Sequence, residues 1–366
     1  MDNKMTLETY RSLEEKEEFF GVKNREKGVR YHKIDTIKDV DNCLIDIKNV
    51  VKGLQKDNSI FAFRGVSEAK YKLYTSAQRE WLTNEWGRQG ITFSDFVGRQ
   101  LIYMKTKFIK DYFRSMEIAL NDMLLLSFLQ HYGAPSPLLD FTTAPRAALF
   151  FAMEHMQSIS PGSQDISNYS SFYILLIDKR RSLDLHLQKQ FEEAAELEVR
   201  MKDLSGPDDI KIPEEAVKLY PRIFDWLPNE KIGNGLCHSR LRFLSNPLET
   251  KRFRHKDLPN LYWSNPNIIA QRGCFLFQTN EEKPLDKIII EEPDVEKEKT
   301  GAVSIICLDI HKSLAPYIRE KYLKPKGITK ESLFPDFNAI ANGAYAAFQR
   351  DPLGKSLQPD LPDSKG

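Results

Sequence analysis

The sequence has little cysteine and no long apolar run. Its four cysteines, Cys43, Cys237, Cys274 and Cys307, are scattered without paired spacing, which excludes a disulfide framework and a zinc motif. No apolar run approaches the ~18 residues that a membrane-spanning helix needs. The first twenty residues mix Glu with Lys and lack the apolar stretch of a signal peptide. We therefore expect a cytoplasmic protein with no metal and no membrane partner.

An excess of one charge is also missing. The 366 residues include 53 basic and 52 acidic side chains, and this balance argues against nucleic-acid binding driven by bulk charge. The sequence contains no glycine-rich phosphate loop, no Gly-x-Ser-x-Gly turn and no His-Glu-x-x-His helix. With 41% hydrophobic residues, the chain can still bury a large core.

The apolar pattern predicts strands and helices without regular alternation, which indicates an α+β protein with a mixed sheet and packed helices. The predicted strands cover residues 60–65, 138–143, 172–178, 267–278, 288–290 and 303–310. The predicted helices cover residues 35–54, the helical region 93–129 with a second helix over 116–130, residues 147–156 and residues 328–348.

Composition divides the chain into three parts. Residues 1–34 are charged and helix-compatible, and they predict a peripheral N-terminal helical arm. Residues 35–350 are predicted to form the main domain, with a charged insertion at about 183–260. This insertion is either a solvated face or a partner surface, and its basic cluster at 251–256 is either a solvated loop or a nucleic-acid contact. Residues 351–366, rich in Pro, Asp and Ser, predict a disordered tail.

Residues 130–143, Gln-His-Tyr-Gly-Ala-Pro-Ser-Pro-Leu-Leu-Asp-Phe-Thr-Thr, concentrate several kinds of polar side chain. The glycine and the two prolines indicate a rigid turn. A short strand follows, and Pro145 suits the first turn of a helix that Thr142 or Thr143 can cap. Polar groups massed in this way cost free energy unless all of them are paired. The stretch therefore indicates either a satisfied structural network or a site.

This stretch resembles the hallmark of the FRG-domain family, in which Gln-His-Tyr-Gly-x-Pro leads into Leu-Leu-Asp, an aromatic residue, Thr and a helix ending Ala-x-x-Phe-Ala. The family's namesake Phe-Arg-Gly is present at residues 63–65, and family-like pieces follow at residues 268–275 and 333–336. Together these pieces span about residues 35–345. Because FRG-domain proteins are associated with bacteria and phages, the resemblance implies a bacterial toxin or anti-phage (antiviral) defence protein.

The order of these pieces is also similar to the arginine type of ADP-ribosyltransferase. In that fold an Arg on the first strand holds the phosphates of NAD, a Ser/Thr strand shapes the nicotinamide pocket, and a Glu on a later strand polarises the ribose. The similarity implies an ADP-ribosyltransferase-like core with helical insertions, NAD or another nucleotide as ligand, and a protein or nucleic acid as acceptor. Arg64 matches the first role, and Thr142 with Thr143 the second. Gln271 stands where the Glu is expected.

This similarity implies a set of site residues. The catalytic residues are His131, Asp140 and Gln271, and the NAD-binding residues are Arg64, Gly65, Gln130, Tyr132, Thr142 and Thr143. Structural alternatives stay open: Arg64 can pair with Asp140 and join two segments, and His131 can be a satisfied buried imidazole. Tyr132 can pack in the core. The function is either cleavage of NAD, by ADP-ribosyl transfer or hydrolysis, or nucleotide or peptide binding by a sensor or adaptor without chemistry. Because Gln271 cannot carry the charge of a Glu, it favours the second.

Overall fold

The computed structural model describes residues 7–21, 29–44, 59–116, 120, 122–154, 162, 164–178, 241–244, 266–278, 280–291 and 303–351. Within the charged insertion, only the backbone of residues 241–244 is described. The predicted basic cluster at 251–256 and nearly all of the predicted tail lie outside the described residues.

One mixed sheet organises the described part of the chain. Its seven strands lie in the order β1-β7-β4-β2-β3-β6-β5. Their bounds are β1 Val29–Ile34, β2 Ser59–Val66, β3 Leu138–Thr142, β4 Tyr169–Asp178, β5 Leu241–Leu244, β6 Gly273–Gln278 and β7 Val303–His311. Strands β1 and β7 are parallel, and the other neighbouring pairs are antiparallel. The α+β class with a mixed sheet is therefore confirmed.

Helices accompany this sheet, and capping residues or prolines mark many of their ends. Their bounds are α1 Leu13–Phe20, α2 Ser76–Thr83, α3 Phe93–Met104, α4 Lys107–Ser115, α5 Asp122–His131, α6 Pro145–Met153, α7 Pro266–Gln271, α8 Leu285–Glu291, α9 Ala315–Ile318, α10 Lys330–Leu333 and α11 Phe337–Arg350. Residues 37–44 are also helical, within the predicted helix 35–54. Among the described residues, no helix combines the length and the apolar character that crossing a membrane requires.

Helix α6 lies unusually close to strand β2. An added Cβ on Gly65 would lie 3.0 Å from the carbonyl carbon of Ala148, and still closer to Ala148 O and Ala152 N. Real Cβ atoms essentially never make contacts shorter than that. Ala148 and Ala152 are themselves fully buried, together with Phe63 on β2. The glycine and the small residues of α6 therefore fix the distance between this helix and the sheet.

The segment predicted as a peripheral arm is part of the core in its described portion. Lys16 on α1 is fully buried, and its Nζ donates to Ala69 O at 2.8 Å, Ser171 Oγ at 2.7 Å and Asp309 Oδ1 at 2.8 Å. A buried ammonium is tolerated when all three of its donors are satisfied. Composition suggested a solvated surface because these acceptors lie up to 293 positions away in the sequence.

Several predicted elements differ in the structure, among them the helical region 93–129, which is divided into α3, α4 and α5. The predicted strand 267–278 is helix α7 followed by strand β6, and the predicted strand 288–290 belongs to helix α8. Short apolar runs do not distinguish a strand from a buried helix. The predicted helix 328–348 is divided into α10 and α11, because Pro335 between them cannot continue a helix.

Candidate functional site

The sheet opens between β2 and β3. These strands share a single pair, Phe63 with Thr142, whereas β2 pairs with β4 along its whole length and β3 does so with β6. Beyond that pair, Arg64 Nη1 donates to the main-chain oxygen of Asp140 at 2.6 Å. The guanidinium thus occupies the place of a main-chain donor and satisfies a carbonyl that the separating strands leave unpaired.

A cavity of about 250 Å³ lies at this opening. Its lining residues are Phe63, Arg64, Gly65, Asp140, Phe141, Thr142, Phe151, Gln271 and Phe334. The structure therefore brings together five of the residues that the sequence proposed: Arg64, Gly65, Asp140, Thr142 and Gln271. They come from β2, β3 and the end of α7, which are far apart in the sequence.

Arg64 is the main cation of the cavity. Its Nη1 contacts the main chain of Asp140 rather than the carboxylate, and its buried Nε has no hydrogen-bond partner in the part of the chain that the structure describes. Burial lowers the pKa of Arg64, and the negative charge of Asp140 opposes that shift. The Arg64 guanidinium also lies 6.0 Å from the ring centroid of Phe141. A positively charged guanidinium with an unused N–H donor can bind an anionic ligand.

Arg79 on α2 adds a second positive charge near this site. Its charge acts on both Arg64 and Asp140, and its Nη1 donates to Tyr74 O at 3.2 Å. Burial lowers the pKa of Arg79, and Asp140 opposes the shift. No sequence signal points to this residue, because a single Arg outside any motif forms no pattern.

Asp140 is held by Gln130, the penultimate residue of α5. Gln130 Nε2 donates to the Asp140 carboxylate, while Gln130 Oε1 has no partner among the described residues. Asp140 lines the cavity and is partly accessible to solvent, while the surrounding protein desolvates its carboxylate. That burial raises the pKa of Asp140, against the opposing effects of Arg64 and the Gln130 hydrogen bond.

Thr142 connects β3 to the end of α7. Its Oγ1 donates to Gln271 O at 2.6 Å and accepts from Ala144 N at 2.9 Å. The prediction that Thr142 or Thr143 caps the next helix is wrong: the N-cap is Ala144, without a side-chain bond, and Pro145 removes one N–H that would need a partner. Gln271 Nε2 donates to Leu333 O at 3.1 Å. Both side chains thus have partners within the protein.

Four predicted site residues do not line the cavity: Gln130, which is bonded to Asp140, and His131, Tyr132 and Thr143. His131 is half-buried with its ring 5.1 Å from that of Tyr132, and burial lowers the pKa of His131. Tyr132 is 59% exposed, rather than in the core, and its ring lies 4.4 Å from that of Phe128. Thr143 N donates to Arg272 O at 3.0 Å. These residues are neighbours of the cavity residues in sequence, but their side chains are not part of the cavity lining.

Two aromatic residues form a wall that the sequence did not assign to the site. The rings of Phe151 on α6 and Phe334 after α10 meet edge to face, with centroids 6.0 Å apart. Both belong to motifs on which the family resemblance rests, and that membership is the sequence signal that could have assigned them to the site. Within the described ranges, no group of three or more His, Cys, Asp or Glu side chains is placed to hold a metal ion.

Comparison with known proteins and protein families assigns a family to part of the chain. No curated protein and no solved structure matches the chain. The model of the FRG domain matches residues 59–160, which run from β2 through α6 and include Arg64, Asp140 and Thr142. Gln271 and Phe334 lie beyond the match. Residues 59–160 of this chain are therefore an FRG domain.

Proposed function

We propose that the cavity binds NAD or a related nucleotide and that the protein cleaves its N-glycosidic bond, by hydrolysis or by ADP-ribosyl transfer. The balance of charge around Asp140 carries this proposal. Two guanidinium groups, Arg64 and Arg79, act on one carboxylate, which leaves an excess of one positive charge. A guanidinium grips a diphosphate through charge-assisted hydrogen bonds.

The size of the cavity limits what it encloses. Ligand pockets typically measure about 300–1,000 Å³, and this one measures about 250 Å³. It accommodates one ribose with its adjoining phosphate or nicotinamide ring, and the rest of a dinucleotide extends from the open side. The edge-to-face pair of Phe151 and Phe334 offers an apolar wall for a planar ring.

Asp140 supplies the negative charge that Gln271 lacks. In the proposed reaction the bond between ribose C1′ and nicotinamide nitrogen breaks, and nicotinamide leaves with the bonding electrons. The Asp140 carboxylate stabilises the positive charge that develops on the ribose and takes the proton of the attacking water or acceptor. Gln130 orients this carboxylate, so it acts as a positioning residue.

Nicotinamide release from NAD by the purified full-length chain tests the proposal. We expect Asp140→Asn to lower kcat by about 100-fold or more, since general acid–base catalysis contributes roughly 10²–10⁴-fold, with NAD affinity little changed. Arg64→Gln removes a charged hydrogen-bond donor, so it should weaken NAD binding by about 10-fold or more. Arg88→Gln is the matched control, because Arg88 is an exposed arginine paired with Glu85.

A thermal unfolding measurement on each variant separates a lost site from a lost fold. Arg64→Lys keeps the positive charge at this position and serves where Arg64→Gln does not fold. If the folded wild type neither binds NAD nor releases nicotinamide, with and without protein or nucleic-acid acceptors, the proposal is refuted.

A binding module without chemistry is the second candidate. The residue that corresponds to the expected Glu is Gln271, and its amide is already bonded to Leu333 O. The neutral Gln271 side chain offers no charge to a reacting ribose, and this favours a sensor or adaptor. This function would be supported if the wild type binds NAD or another nucleotide tightly, releases no nicotinamide, and forms no product whose yield Asp140→Asn changes.

A toxin or anti-phage role would follow from consumption of NAD. Depletion of this cofactor stops growth, so induced expression of the wild type in bacteria should arrest the culture and lower cellular NAD. Asp140→Asn, expressed to the same level, should do neither. Arrest by both proteins at an unchanged NAD level would contradict this role.

A further inference from the structure

Aromatic side chains are exposed on α4 and at the adjoining end of α5. Phe108 is 74% exposed and Tyr132 is 59% exposed. Phe108 and Tyr112 are stacked, with centroids 6.3 Å apart and ring planes 15° from parallel. Phe108, Tyr112 and Tyr132 form what we call the aromatic patch. Exposed rings grouped in this way are typical of an interaction surface.

The rings of the patch are linked through further aromatic rings beneath them. The ring of Tyr112 meets Phe113 at 5.2 Å, Phe113 meets Phe128 at 6.0 Å, and Phe128 meets Tyr132 at 4.4 Å. Phe113 is fully buried. The exposed rings are therefore mounted on a packed aromatic row and are held in place before any partner arrives.

Basic side chains share helix α4 with these rings. Lys107, Lys110 and Arg114 are exposed, and Asp111 is the single acidic residue of the helix. Lys107 and Arg114 both bond to Asp111, at 2.5 and 3.0 Å. Three positive charges against one negative charge leave a local excess of two. The near-neutral composition of the whole chain conceals this excess.

We propose that the aromatic patch and the cations of α4 bind single-stranded nucleic acid. Rings that project from a helix can stack on unpaired bases, while neighbouring lysines and arginines contact the phosphates. Duplex DNA keeps its base faces hidden and offers these rings no partner. An anionic membrane is a poorer match, because Ile109, the aliphatic residue of α4, packs against a core cluster instead of facing outward. This surface is separate from the cavity and does not depend on the proposed reaction.

Fluorescence anisotropy with labelled oligo-dT and oligo-U, titrated with the full chain, tests the proposal. Stacking on a protein ring is worth about 1–3 kcal/mol per base, so Phe108→Ala and Tyr132→Ala should each weaken binding by about 5-fold or more. Phe348→Ala is the matched control, because Phe348 on α11 is a phenylalanine that is 58% exposed. It should leave the affinity unchanged.

Salt dependence tests the cations separately. Each phosphate contact to a single strand contributes about 0.7 to the slope of log affinity against log salt. The double change Lys107→Glu and Lys110→Glu should therefore reduce that slope by about 1.4, whereas Lys324→Glu, at an exposed lysine after α9, should not. The proposal is overturned by equal effects of target and control variants, by equal affinity for a duplex of the same length, by tighter binding to phosphatidylserine vesicles, or by no binding at low salt.

Discussion

Substitution of Gly65 by alanine gives the sharpest test of how the site is built. The new methyl group would meet the backbone of α6 at Ala148 and Ala152, all within 3.0 Å. Backbone atoms cannot rotate aside as a long side chain can. Either helix α6 must move away from β2 as a unit, or strands β2 and β3 must separate further.

The cost follows from the packing around that contact. Overpacking a well-packed core costs typically 1–3 kcal/mol, occasionally more, and a collision with backbone belongs at the upper end. We expect Gly65→Ala to lower the free energy of unfolding by about 3 kcal/mol or more. Since the entropy of unfolding is about 2.1 cal/mol/K per residue, each kcal/mol shifts the melting temperature of a 366-residue chain by about 1.3 °C. The melting temperature should therefore fall by about 4 °C or more.

A second glycine supplies the control. A Cβ on Gly98, inside α3, would meet nothing within 4 Å, so Gly98→Ala should stabilise the protein by about 0.4–1 kcal/mol through the reduced freedom of the unfolded chain. Denaturant unfolding followed by circular dichroism measures both variants. A Gly65→Ala protein as stable as wild type but unable to bind NAD would refute the packing argument and assign the glycine to ligand approach instead.

Three further predictions concern the network around the sheet. Lys16→Met removes the positive partner of the buried Asp309 carboxylate, so it should cost about 3–5 kcal/mol in denaturant unfolding, and adding Asp309→Leu should recover part of that loss. Thr142→Val leaves a carbonyl and an amide without their hydroxyl partner and should cost about 1–3 kcal/mol in thermal unfolding; an equal loss from Thr143→Val would contradict this. Hydrogen bonds to Asp41, the largest effect coming from Lys321, lower the pKa of Asp41 to about 2. The stability that these bonds contribute should therefore be complete above about pH 4 and be lost as the pH falls through 2. If Asp41→Asn leaves the acid unfolding curve unchanged, the bonds contribute nothing to stability.

The sequence predicted the local elements of the site better than their assembly. Strand β2 with Arg64 near its end, strand β3, and Pro145 in the first turn of α6 follow from alternation and from proline chemistry. The sequence also left open an ion pair between Arg64 and Asp140. The structure instead shows a bond to the Asp140 main chain, which depends on how far two neighbouring strands separate and is not encoded in either strand alone.

Contacts between distant segments account for the remaining differences. Gln271 was placed on a strand, yet it ends helix α7, and its position beside the cavity is fixed through Thr142 and Leu333. Arg79 and Phe334 reach the site from α2 and from the segment after α10. The order of strands in the sheet, with β1 beside β7, joins residues 276 positions apart, such as Val29 and Ile305. Such pairings cannot be read from local periodicity.

The pairing of β2 has a consequence for dissecting the protein. All eight residues of β2 align with β4, yet β4 begins at Tyr169, nine positions beyond the end of the FRG match. A fragment cut at residues 59–160 would present the long edge of β2, together with Phe63 and Ala62, to solvent or to another copy of itself. Such a fragment should aggregate, so a cut chain intended to keep this domain folded must carry β4 and, beside it, β7.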